Sequence, residues 1–167
     1  MSLRTPMHKT STHPGHLIIA SSEKDADLYY ATKFIAPDPF VFLKVHGKSY
    51  ILVSDLEIDR AKKQAHVDGV FSSSKLAAEY KQTHRKPCDF TELVVYFLKR
   101  LHVTSVLVPG NFPVQYYVPL RHAGLHLQYK NGLFFEERLV KDRAEITAIT
   151  QALRATENAA REAIATL

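Results

Sequence analysis

The 167-residue sequence predicts an α/β fold: a mixed β-sheet flanked by helices on both faces, with a long helix at the C-terminal end. Three observations carry this. Short apolar runs alternate with stretches whose apolar residues recur every three or four positions, so strands alternate with helices. Two of the runs, Phe40–Val45 and Ser49–Val53, flank His46-Gly47-Lys48, the pattern of a hairpin and so of at least one antiparallel pair. From residue 144 to Leu167 one helical stripe runs unbroken.

In chain order, HLIIAS (His16–Ser21) reads as a strand and EKDADLYYATKF (Glu23–Phe34) as a short helix. IAPDPF follows, where Pro37 and Pro39 force an extended turn. Beyond the hairpin, SDLEIDRAKKQA opens at Ser54 with the Ser-x-x-Glu spacing of a capping box and carries Leu56, Ile58 and Ala61. Val67–Phe71 is a short strand, and Ser73–His84 a helix, with Ser72–Ser74 as loop and N-cap. DFTELVVYFLKRLHV places Leu93, Val94, Phe97, Leu98 and Leu101 on one helical face. Ser105–Val108 is a buried strand. Pro113–His122 is a helix that stops at Gly124, and Leu125–Tyr129 is the last strand.

After the Asn131-Gly132 turn, LFFEERLVKD leads to the final helix. Asp142 stands at its N-cap with Glu145 three residues on, a second capping box. Ile146, Ile149, Leu153, Thr156, Ala160, Ile164 and Leu167 form one face, with a column of alanines beside it. The helix is roughly 37 Å long at 1.5 Å per residue. Each large aliphatic gains about 1.5–3 kcal/mol on burial, so the stripe predicts a partner: its own domain, a further domain, or a second copy.

Bulk properties exclude several classes. The single cysteine, Cys88, rules out an internal disulfide framework and fits a reducing, cytoplasmic compartment. No apolar run reaches the roughly 18 residues of a membrane span. The opening MSLRTPMHKTSTHPGH has no apolar core and is not a secretory signal. Residues 1–13 read as a loose, tag-like N-terminus, 14–140 as one compact domain, and 141–167 as an outgoing helix. The net charge of +5 comes from basic residues placed singly or in pairs, which is a solvated surface rather than a nucleic-acid footprint.

The six glycines are too dispersed for a phosphate-cradling loop, and there is no Gly-x-Ser-x-Gly elbow. Cys88 follows His84 by four residues with Pro87 between, a weak case for a nucleophilic pair. His122 and His126 have i, i+4 spacing, but Gly124 ends the helix between them. His102 follows an amphipathic helix and is expected to cap its carbonyls. No catalytic residue, metal ligand or cofactor is therefore assigned to this chain.

Three segments together resemble the creatinase, prolidase and Xaa-Pro aminopeptidase family. DADLYYATKF (Asp25–Phe34) is similar to that family's Asn-x-x-Tyr-x-Thr-Gly-Phe stretch through Tyr30, Thr32 and Phe34, with Lys33 in place of the glycine. PFVFLKVHGKSYILVSDLEIDRAKKQA resembles its strand–turn–strand–helix. Arg138, Lys141, Glu145, Ile146, Ala152 and Ala159 fall on the pattern of the helix that joins its N-terminal and catalytic domains. The resemblance implies a ribonuclease-H-like N-terminal domain. Catalysis would belong to a C-terminal "pita-bread" domain holding a divalent metal (Mn, Co or Zn), whose ligands have no counterpart here. It implies a homodimer in which Tyr29, Tyr30, Phe34 and Phe40 serve contact or access, with no nucleic-acid or membrane partner. The stripe of Ile146, Ile149, Leu153, Ile164 and Leu167 would pack on the absent domain. The alternative is a free-standing binding or dimerisation module of the same fold.

Overall fold

A computed structural model describes residues 14–166; the expectations placed on residues 1–13 and on Leu167 lie outside the described residues. The chain divides after Phe134 into two units. The first holds β1 (Gly15–Ala20), α1 (Ala26–Thr32), β2 (Phe40–Val45), β3 (Lys48–Val53), α2 (Ile58–Gln64), β4 (Gly69–Ser72), α3 (Ser73–His84), α4 (Phe90–Arg100), β5 (Ser105–Pro109), α5 (Val114–His122) and β6 (His126–Lys130). The second holds a 3-10 turn (Glu136–Leu139) and α6 (Arg143–Ala165).

The six strands form one sheet in the order β4-β3-β2-β1-β5-β6. β2 runs antiparallel to both β1 and β3, and the remaining pairs are parallel. A meander β1-β2-β3 continued past β1 by two parallel strands is the ribonuclease-H-like arrangement the resemblance implied. The two-residue turn His46-Gly47 has positive φ at both positions (53° and 75°), the primed turn whose twist matches the flanking strands.

Strand side chains alternate between faces, and here both faces are buried. Leu17, Ile19, Val41, Leu43 and Leu52 share one core with Leu76 of α3, Phe97 of α4 and Leu120 of α5. The register sets Ile18 opposite Phe42, and Phe42 opposite Ile51, on the other face. There Leu28 of α1, Phe34 and Ala61 of α2 are buried outside the first core. Two links tie α2 to α1. His66 N–H donates to the Thr32 carbonyl at 2.7 Å, and the Arg60 guanidinium donates to the Ile35 carbonyl at 2.8 Å while lying over the Phe34 ring.

The helix predicted from Ser54 begins later than its capping box suggests. Residues 55–57 are turns, α2 starts at Ile58, and no side chain caps it. Leu56, read as part of its apolar face, is 91% exposed. Asp55 instead accepts hydrogen bonds from Ser72 and Ser74 at the start of α3, joining the loop after β3 to that helix. These bonds, Ser72's first, hold the Asp55 carboxyl below its ordinary range. The expectation for α4 holds: Asp89 and Glu92 form a full capping box, and Leu93, Val94, Phe97 and Leu98 are buried. After α4, it is the backbone N–H of His102, in a left-handed conformation, that donates to the Lys99 carbonyl.

Two outcomes are expected. A depressed folded-state pKa contributes stability that is present above the unfolded carboxylate range and lost as pH falls through it. The wild-type unfolding midpoint should therefore drop more steeply below about pH 4 than that of Asp55→Asn, measured by urea titration across pH. Second, Lys33 closes α1 with φ 49°, its N–H donating to the Tyr29 carbonyl at 2.7 Å. A left-handed L-residue costs about 1–2 kcal/mol. The Lys33 ammonium recovers part of this over the Tyr30 ring, 4.8 Å away. Lys33→Gly should raise stability by about 0.5 kcal/mol after loss of that contact, worth roughly 0.5–1 kcal/mol at a surface site.

Candidate functional site

An open α/β sheet offers its ligand cleft outside the carboxyl ends of parallel strands, where successive connections leave to opposite faces. Here β1 and β5 are parallel neighbours; the chain leaves β1 for α1 on one face and β5 for α5 on the other. A cleft of about 170 Å³ lies at that point, lined by Ile18, Ala20, Asp25, Asn111, Gln115 and Tyr116 among others.

Its polar groups are few and mostly committed. One Asp25 carboxylate oxygen accepts the Leu28 N–H at 2.8 Å and so caps α1; the other lies 3.5 Å from the Asn111 amide nitrogen. The lining carries that one carboxylate and no histidine, lysine, cysteine or second acid. Such a site can hold a small polar group but has no acid–base pair to move a proton. Its volume is also below the roughly 300 Å³ at which small-molecule sites begin.

The aromatic segment expected to serve contact or access divides in two. Tyr29 is 40% exposed and Tyr30 is half-buried, so both reach the surface. Phe34 is fully buried and Phe40 is 3% exposed, their rings packed edge-to-face 5.8 Å apart. This corrects the expectation for Phe34 and Phe40: both are core residues beneath α1 and cannot meet a partner.

The other residues singled out in the sequence lie apart. Burial pushes the Cys88 thiol up, away from the reactive thiolate. His84 Nδ1 sits 3.1 Å from the Tyr80 carbonyl. His122 ends α5 and His126 begins β6, with Gly124 at φ 89° between them. Among the described residues no group of three or more His, Cys, Asp or Glu could hold a metal ion. The second unit opens α6 with the predicted capping box of Asp142 and Glu145, and no residue of the helix is buried. Ile146, Ile149, Leu153 and Ile164 are all more than half exposed. The cleft between β1 and β5 was missed in the sequence because those strands lie far apart in the chain. The run Pro109-Gly110-Asn111-Phe112-Pro113 just after a buried strand was its one local signal.

No protein-family model matches the chain, and no curated protein matches it in sequence. Solved structures do share its fold. The Xaa-Pro dipeptidase from Bacillus anthracis superposes with a TM-score of 0.73 at 15% identity, over 92% of this chain and 39% of its own. The X-Pro aminopeptidase from Thermotoga maritima MSB8 gives 0.67 at 15% identity, over 92% and 41%. The prolidase from Pyrococcus horikoshii OT3 gives 0.65 at 19% identity, over 92% and 39%. The chain thus spans about two fifths of the length of each.

The division between surface and core residues has a direct test. Phe40→Ala should cost about 3–5 kcal/mol in chemical denaturation, as expected for a buried aromatic. Tyr29→Ala should stay within about 0.5 kcal/mol of wild type.

Proposed function

We propose that this chain is the non-catalytic N-terminal domain of a metal-dependent Xaa-Pro peptidase of the creatinase/prolidase kind, and that it contributes to oligomerisation and active-site access. One observation carries the reading: the shared fold takes in 92% of this chain but only 39% of the Bacillus anthracis dipeptidase, so there it is one part of a longer enzyme. The three sequence segments, in the family's order, support it. So does the exposed stripe of α6, placed where the resemblance sets the helix leading to the catalytic domain.

In this reading the described residues take no part in hydrolysis. They hold no group able to ligate a metal, and the cleft between β1 and β5 carries a single, helix-capping carboxylate. A divalent metal (Mn, Co or Zn) would belong to the downstream domain. A metal-bound water as nucleophile needs several protein ligands and an open position, which that domain must supply. Tyr29 and Tyr30 are the surface residues suited to a homodimer contact, since tyrosine buries much area at low rotamer cost. A cytoplasmic enzyme acting on Xaa-Pro peptides fits the single unpaired cysteine.

The test compares residues 1–167 with the full natural reading frame in hydrolysis of Xaa-Pro dipeptides with added manganese. The longer protein should turn over and the shorter one should not. A stop codon directly after Leu167 would overturn the reading in favour of a free-standing module. So would turnover by residues 1–167 that is lost on mutating one of their own side chains.

A further inference from the structure

A second concavity lies far from the cleft between β1 and β5. The outer face of α4, flanked by α3 and α5, forms a groove of about 340 Å³. Tyr80 and His84 form the α3 wall, Val95, Tyr96 and Lys99 the α4 floor, and Pro119 and Ala123 the α5 wall. The aromatic wall is built. His84 stacks on Tyr80 at 4.0 Å, and Tyr96 meets both rings edge-on, at 5.4 Å from Tyr80 and 5.8 Å from His84.

The groove sits in the basic part of the molecule. Residues 73–124 hold seven Lys and Arg against three Asp and Glu, so four of the chain's five net positive charges lie in this stretch. The three acids are already engaged. Asp89 caps α4, Glu92 pairs with Lys86 at 2.7 Å while completing the same cap, and Glu79 pairs with Arg100. Lys99, in the groove, and Lys81, on α3 between Tyr80 and His84, make no ion pair with a described residue.

We propose that this groove docks an acidic peptide segment that inserts one apolar side chain between Tyr96 and Pro119 while its carboxylates meet Lys81 and Lys99. Charge complementarity selects an acidic occupant, and the volume suits a side chain or a few residues of extended chain. A peptide is favoured over nucleic acid. Strand binding needs free aromatic faces for bases to stack on, whereas Tyr80 is 7% exposed and already stacked against His84. The inference does not depend on the peptidase reading, since it invokes neither a catalytic domain nor a dimer.

Fluorescence anisotropy with a labelled peptide of four glutamates around a central Phe-Pro pair tests it. The wild-type chain should bind this peptide at least tenfold more tightly than the version with lysine for glutamate. Binding should weaken at least tenfold in Lys81→Glu/Lys99→Glu and about fivefold in Tyr96→Ala, and should fall with added salt. Circular dichroism checks that each variant folds; if Tyr96→Ala does not, the surface charge reversal decides alone. Absence of wild-type binding, equal binding of the lysine peptide, or unchanged affinity in the charge-reversed variant would overturn the proposal. So would displacement by a single-stranded oligonucleotide of equal charge at equal concentration.

Discussion

The burial of β1 and β2 on both faces is the constraint on which the rest of the first unit depends. Leu17, Ile18 and Ile19, and likewise Val41, Phe42 and Leu43, are each 1% exposed or less, so neither strand has a solvent side. An antiparallel meander commonly leaves one face wet. Here that would expose either Leu17, Ile19, Val41 and Leu43 or Ile18 and Phe42, and each large apolar side chain left in water forfeits about 1.5–3 kcal/mol. Two sets of helices must therefore be supplied, one per face. The chain does so in sequence order, with α1 and α2 around the hairpin and α3 to α5 around β4 to β6.

The ends of these helices show how the layers are held in place once the faces are covered. Asp25, Ser72, Asp89 and Asp142 each accept a backbone N–H in the first turn of a helix. Lys33, Arg85 and His102 turn the chain with positive φ just after α1, α3 and α4. Helices that end abruptly can reverse direction within a few residues, and that keeps α3 and α4 antiparallel neighbours on one face. At Lys33 and Arg85 the left-handed turn is made by a residue with a Cβ, so the geometry is imposed by the sheet beneath rather than by local preference.

Elements whose signal is local were legible in the sequence. The hairpin, the amphipathic α4 and the capped α6 each announce themselves within a dozen residues, through a glycine turn, a helical period or a capping box. What was not legible depends on residues distant in the chain. Ser54 and Glu57 have capping-box spacing, yet Asp55 is drawn away by Ser72 and Ser74, and the helix starts later. Phe34 and Phe40 sit in a proline-bearing loop with no period to reveal burial, and only α1 and the Ile18, Phe42 and Ile51 face of the sheet make them core. The order β1-β5, and with it the cleft, follows from a crossover spanning α2 to α4, which no local pattern encodes.

The place in this fold where a ligand cleft is expected is therefore present but chemically sparse. Its carboxylate is bound into the α1 cap, so moving that oxygen toward a ligand would leave the Leu28 N–H without its partner. A cap residue is a poor general base for the same reason: its charge is already stabilised by the helix end. The recognisable chemistry of the first unit lies elsewhere, in exposed tyrosines after β1 and in a basic, aromatic groove along α4, and both are features that hold partners rather than transform them. Fold alone does not assign an activity. The side chains available here fit a scaffold whose contribution is contact and positioning, with bond-breaking left to residues of another domain.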